Sequence, residues 1–187
     1  LVEVGVGLLP GGGGTKELAV RVSDAYHEGD VENNIFQKYF MNAAQGKVST
    51  SAHEAFGLGL LSHKDRITVN KERLLADAKE AVLELSEAGY VPPAPRNNIR
   101  VLGRSGLGLV YVGVEQMRFG GFASAHDQLI AQKIGWVMCG GDLTSPQLVS
   151  EQYLLDIERE AFLSLAGTRP TLERLQHMLS TGKPLRN

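Results

Sequence analysis

Four consecutive glycines, Gly11 to Gly14, stand between Pro10 and a run beginning Thr15, Lys16, Glu17, Leu18, and no other feature of the chain restricts its local folding so tightly. Ahead of them, residues 1–9 are mostly apolar or β-branched, with Glu3 set among them. Proline interrupts regular structure, and glycine alone enters the left-handed region at no steric cost. The pattern predicts a strand over residues 1–9, a tight turn, and a helix N-terminus. The chain has 22 glycines in 187 residues, above the typical ~7%. A strand this apolar needs neighbours on both faces. Residues 1–9 are therefore expected to open inside a domain whose first part lies upstream.

Beyond the turn a period of 3.6 dominates. Residues 30–44 space Val31, Ile35, Tyr39 and Phe40 at near-helical intervals. Ser51 followed by Glu54 has the order of a capping box and predicts a short helix. Residues 57–61 and 65–69 predict brief extended pieces around a turn, so short strands are expected in the 58–69 region. Residues 70–88 carry Leu74, Leu75, Ala78, Ala81, Val82 and Leu85 on one stripe, closed by Gly89. Three prolines within 91–98 then force an extended linker or surface strap. Residues 107–118 and 123–138 predict two largely buried helices. Ser145 and Pro146 are expected to start a helix that runs to Leu165, and Leu172, Leu175 and Leu179 mark the last one. The predicted class is mainly α with a few short strands.

Composition removes several functions. Lys+Arg 19 against Asp+Glu 21 leaves a net charge of −2, with no basic excess to hold nucleic acid. Cys139 is the single cysteine, which excludes an internal disulfide and a multi-thiolate zinc site and fits a reducing, cytoplasmic setting. The longest apolar stretch, residues 107–114, falls far short of the ~20 residues that span a bilayer. No basic region followed by an apolar block marks a secretory signal.

The glycine run is not a P-loop, because Thr15 and not lysine follows Gly14. Nor is it a dinucleotide fingerprint, since Pro10 replaces the third glycine after Gly5 and Gly7. Gly103, Ser105 and Leu107 miss the nucleophile elbow, which needs a final glycine. His27, His53, His63, His126 and His177 show no metal-binding spacing. What remains is Glu3, an ionisable group in an apolar run before a turn whose free amides favour an anion. Burial would suit its carboxylate to proton exchange near neutral pH. An exposed edge-strand glutamate beside a turn that needs glycine only for its dihedrals fits the same spacing.

The segment EVGVGLLPGGGGT, residues 3–15, resembles the second catalytic-glutamate segment of the crotonase (enoyl-CoA hydratase/isomerase) superfamily, commonly P-E-I-x-x-G-x-x-P-G-x-G-G-T. Residues 47–60, KVSTSAHEAFGLGL, resemble a later segment in which a helix leads back into the core. The stretches 153–162, 171–179 and 182–187 are similar to a narrower group, the large 3-hydroxyacyl-CoA dehydrogenases of fatty-acid β-oxidation, whose crotonase domain follows NAD-binding domains. Val2 stands where proline is usual, and the helix at 30–44 is longer than in simple hydratases.

The resemblance implies a division into residues 1–90, the second half of a crotonase-like α/β spiral, and 91–187, a C-terminal helical region. It implies Glu3 as one of two carboxylates that hydrate a 2-enoyl-CoA thioester, and Gly11 as a residue letting backbone approach the reacting carbons. The other carboxylate and the oxyanion amides would lie upstream, so the chain alone is expected to be inactive. No cofactor is expected on this chain, with NAD held by the upstream dehydrogenase domains. Those domains, an acyl-CoA thioester and a thiolase or a second copy are the implied partners. A non-catalytic helical module and an enoyl-CoA isomerase are the alternatives, and Glu54, Asp127 and Glu158 are the carboxylates to consider if the site is not at Glu3.

Overall fold

The computed structural model describes residues 2–187, which fall into two compact units, residues 2–48 with 96–187, and residues 49–95. Leu1 lies outside the described residues. The predominance of helix is as expected.

The larger unit holds helices α1 (Gly14–Asp24) and α2 (Glu32–Ala44), and the smaller unit holds α3 (Ala52–Gly57) and α4 (Leu74–Glu87). The larger unit resumes with strand β1 (Ile99–Val101), α5 (Gly103–Phe119), α6 (Ala125–Met138), strand β2 (Gln147–Val149), α7 (Glu151–Ala166) and α8 (Arg169–Thr181). Helix α6 is the spine of its core. Ile130, Ile134, Val137 and Met138 are all 2% exposed or less, and α6 packs on α1, α2, α5 and α7. Ser124 and Asp127 form a full capping box at its start, each side chain taking the other's backbone N–H.

The two strands pair antiparallel, Ile99 opposite Val149 and Val101 opposite Gln147. Period-2 alternation sends Ile99 and Val101 into the core, at 0% and 1% exposure. The Arg100 N–H donates to Ser23 Oγ at 2.9 Å and ties the strand to α1.

Five expectations need correction, the first on α5, which is expected to be largely buried but leaves Leu109, Tyr111 and Val112 at 49%, 45% and 59% exposure because it packs by one face. Among the described residues, 2–9 form no strand but a 3-10 turn over Glu3–Val6, because no neighbouring strand satisfies their backbone groups. The chain closes on itself instead: Gly5 N–H to Val2 O at 2.9 Å, Gly7 N–H to Val4 O at 3.2 Å, Leu8 N–H to Glu3 O at 3.1 Å. Residues 58–69 likewise form no strand but turns and irregular backbone, with the Asp65 carboxylate accepting from Ser62 N–H at 2.6 Å. Residues 147–149 are drawn into pairing with β1, so α7 starts later than Ser145 predicts, capped by Ser150 Oγ on Tyr153 N–H at 3.1 Å. Finally, the buried residues of α8 are Thr171 and Arg174, while Leu172 and Leu179 are 56% and 88% exposed.

In the smaller unit, Ser51 Oγ takes the Glu54 amide, as its spacing predicts. Helix α4 occupies the predicted stretch, yet none of its residues is buried, and Leu75 is 83% exposed. No helix among the described residues is long and apolar enough to cross a membrane.

Candidate functional site

The glycine turn is held from two directions. The Pro10 carbonyl accepts from both Thr15 N–H and Thr15 Oγ1, each at 3.0 Å, which closes the turn locally. From α7, Glu158 (1% exposed) accepts Gly13 N–H and Lys16 N–H, each at 2.7 Å. Its carboxylate therefore fills the anion position at the N-terminus of α1, where orphan amides and the helix dipole favour negative charge. The amides of Gly13, Thr15 and Lys16 are thus taken by groups of the protein itself, where the sequence reading expects free amides that favour an anion.

Gly11 faces the same helix. A Cβ built on it would lie 2.2 Å from Phe162 Cδ2, so no other residue lets the turn seat on α7 without displacing that ring. Glycine is required at position 7 for a second reason, a φ of +88° at the end of the 3-10 turn.

Glu3 opens that turn and is partly buried. Its Oε2 is shielded from solvent and has no protein hydrogen-bond partner. A buried polar atom left unsatisfied costs free energy, and such atoms in native folds call for an explanation in strain or function. The backbone around it is well anchored. Thr171 Oγ1 donates to Gly7 O at 2.7 Å, and Arg174 Nη1 donates to Val4 O at 3.2 Å.

Arg174 is 1% exposed and pairs with Asp127 Oδ1 at 2.8 Å. It also donates from Nε to Asn187 Oδ1 at 2.8 Å and from Nη2 to Ser124 Oγ at 3.2 Å. Beside it, His126 (5% exposed) places Nε2 2.9 Å from Thr171 Oγ1. Since the Thr171 hydroxyl proton lies on Gly7 O, His126 Nε2–H is the donor of that pair. Val2, Val4 and Gly5 of the turn, with Asp127 and Arg174, line one end of a cleft of about 720 Å³ whose other walls include Phe40 and Met117. Glu3 does not line it.

Burial, then the charge of Arg174, holds the His126 imidazole below its ordinary 6.5. For Asp127 burial acts upward, but the Ser124 amide and the Arg174 guanidinium together hold the carboxyl below its ordinary 3.8. Both shifts lower proton uptake by the folded state, so both make stability fall with acidity. The His126 contribution is lost as pH drops from about 6.5 through the folded value, and the Asp127 contribution as pH drops from about 3.9 through its own. Denaturation midpoints should therefore decline in two stages between about pH 7 and pH 3, and a midpoint flat from about pH 7 to pH 5 would count against a buried neutral His126.

The remaining candidates have structural occupations. Glu54 accepts from Thr50 N–H at 2.6 Å and Thr50 Oγ1–H at 2.7 Å at the start of α3, within the smaller unit. Asp127 and Glu158 are engaged as described. Burial pushes the Cys139 thiol up to about 12, which leaves it inert as a nucleophile. Among the described residues no group of three or more His, Cys, Asp or Glu side chains is arranged to hold a metal ion. The spacing missed Thr171 and Arg174, because a polar residue in an apolar helix pattern reads as solvent-facing, while His126 is the hydrogen-bonded core histidine that its lack of metal-binding spacing allows. The order Ser124-x-x-Asp127 was the one local signal that this corner is structured.

The chain is 45% identical, over all 187 residues, to the probable 3-hydroxyacyl-CoA dehydrogenase of Bacillus subtilis (strain 168), and it spans 23% of that protein's length. No family model matches the chain. No solved structure matches it.

Proposed function

We propose that the chain is the C-terminal part of a 3-hydroxyacyl-CoA dehydrogenase/enoyl-CoA hydratase of fatty-acid β-oxidation, in which Glu3 supplies one carboxylate for hydration of a 2-enoyl-CoA. The similarity to the probable 3-hydroxyacyl-CoA dehydrogenase, which extends over all 187 residues, carries this reading. The unpartnered Oε2 of Glu3 favours that residue as the site of the chemistry.

In this reading residues 1–90 complete a crotonase-like spiral whose first half lies elsewhere in the longer, cytoplasmic protein. Residues 91–187 form its helical extension, and NAD belongs to the dehydrogenase domains. Hydration adds the oxygen of water to C3 and a proton to C2 of the enoyl thioester. Negative charge builds on the thioester oxygen, where paired backbone amides from outside this chain would stabilise it. Glu3 and a second carboxylate orient the water and move the proton. Gly11 serves the same site as the residue whose backbone approaches the reacting carbons, and its missing Cβ lets the turn seat on Phe162.

Replacing Glu3 with glutamine in the longer protein should cut hydratase turnover by about 10²-fold or more, the usual scale for a positioned acid or base. Loss of enoyl-thioester absorbance follows hydration, a circular dichroism melt checks that the variant is folded, and NADH formation from a 3-hydroxyacyl-CoA checks that the dehydrogenase domains are intact. Unchanged hydration would return Glu3 to a structural role.

A further inference from the structure

We infer that Thr171 and Arg174 of α8 are positioning residues for Glu3, an assignment that rests on the acid/base reading of Glu3 given above. Both are buried, at 0% and 1% exposure, and three residues apart they share one face of the helix. Each reaches a carbonyl of the Glu3 turn: Arg174 that of Val4, directly after Glu3, and Thr171 that of Gly7, where the turn ends.

A single 3-10 turn has weak hydrogen-bond geometry and little rigidity of its own. Its orientation is set by what it is tied to. Here both ties come from 164 and 170 residues away in sequence and from one helix. The ties are themselves fixed from the first turn of α6, Thr171 by His126 at 2.9 Å and Arg174 by Asp127 at 2.8 Å. A carboxylate that must meet its substrate within about 0.5 Å needs such support behind it. Burial alone would be served by apolar side chains at both positions. Polar groups aimed at two carbonyls do what apolar ones cannot, which is to fix the direction in which the turn presents Glu3.

The test uses the longer protein of the proposed reading and steady-state hydration of crotonyl-CoA, with 3-hydroxyacyl-CoA oxidation measured on the same samples. Thr171→Val, which keeps the shape and loses the hydroxyl, should lower the hydratase kcat about tenfold with KM within about twofold, since misplacing a catalytic group acts on the chemical step. Thr171→Ser should restore kcat to within about twofold of the parent, and the dehydrogenase rate should hold in both. If Thr171→Val fails to fold, seen as a lost cooperative melt by circular dichroism, Arg174→Lys decides by the same split of kcat against KM, because it keeps the charge opposite Asp127 but cannot reach the full set of acceptors. A folded Thr171→Val with kcat at the parent level overturns the proposal, as does an equal fall in Thr171→Ser. If Glu3→Gln itself leaves hydration unchanged, the acid/base reading fails and the positioning role falls with it. A loss in Glu3→Gln with none in the α8 variants refutes positioning alone.

Discussion

Arg174→Met should lower the stability of the chain by about 3 kcal/mol, the lower end of the range for breaking a buried ion pair by removing one partner. Methionine fills a comparable volume, so the loss is electrostatic and not a cavity effect. Asp127 would stay in place without its cation, and Val4 O, Asn187 Oδ1 and Ser124 Oγ would each lose a donor. The Asp127 side chain keeps 27% exposure, so water recovers part of the penalty and the upper end of the range is not reached. For a chain of this size the change corresponds to a drop in Tm of roughly 10 °C. Guanidinium or thermal melts followed by circular dichroism would measure it. A change below about 1 kcal/mol would place the pair among ordinary surface ion pairs.

The second large effect is expected at Glu158→Gln, at about 2 to 4 kcal/mol. The carboxylate receives two amides, Gly13 and Lys16, one on each oxygen. Glutamine has a single acceptor oxygen, and its NH2 group would face the second N–H. One buried donor is then unsatisfied, at about 1 to 3 kcal/mol, and the charge opposite the positive end of α1 is also lost. Amide hydrogen exchange should quicken at Gly13 and Lys16 before the rest of the core responds. A melting curve within about 0.5 kcal/mol of the parent would mean that water, not Glu158, satisfies those amides. The same geometry bears on ligands: with Glu158 in place the N-terminus of α1 repels phosphate, so the resemblance of the glycine run to a phosphate loop ends at its composition.

The sequence by itself determined where the helices lie. Their hydrogen bonds run between residues four apart, and their ends are set by residues such as Ser51, Ser124 and Gly182 that act within one turn, so the information is local. Residues 30–44 and 123–138 could therefore be assigned helix from periodicity alone. It also singled out Glu3 and the glycine turn, since an ionisable group beside a forced turn stands out in one dimension. Only the tertiary structure decided what depends on partners far along the chain. Residues 2–9 have strand composition, yet with no strand beside them their backbone groups bond locally and a 3-10 turn results. Residues 147–149 became a strand because 99–101 accept them as partners. The buried face of α8 is the least readable of all. Leu172 and Leu179 point outward and Thr171 and Arg174 point in, because their acceptors on Val4, Gly7 and Asp127 come from elements remote in sequence. A buried polar side chain is favourable only where such partners meet it, and which partners meet is a property of the packed fold.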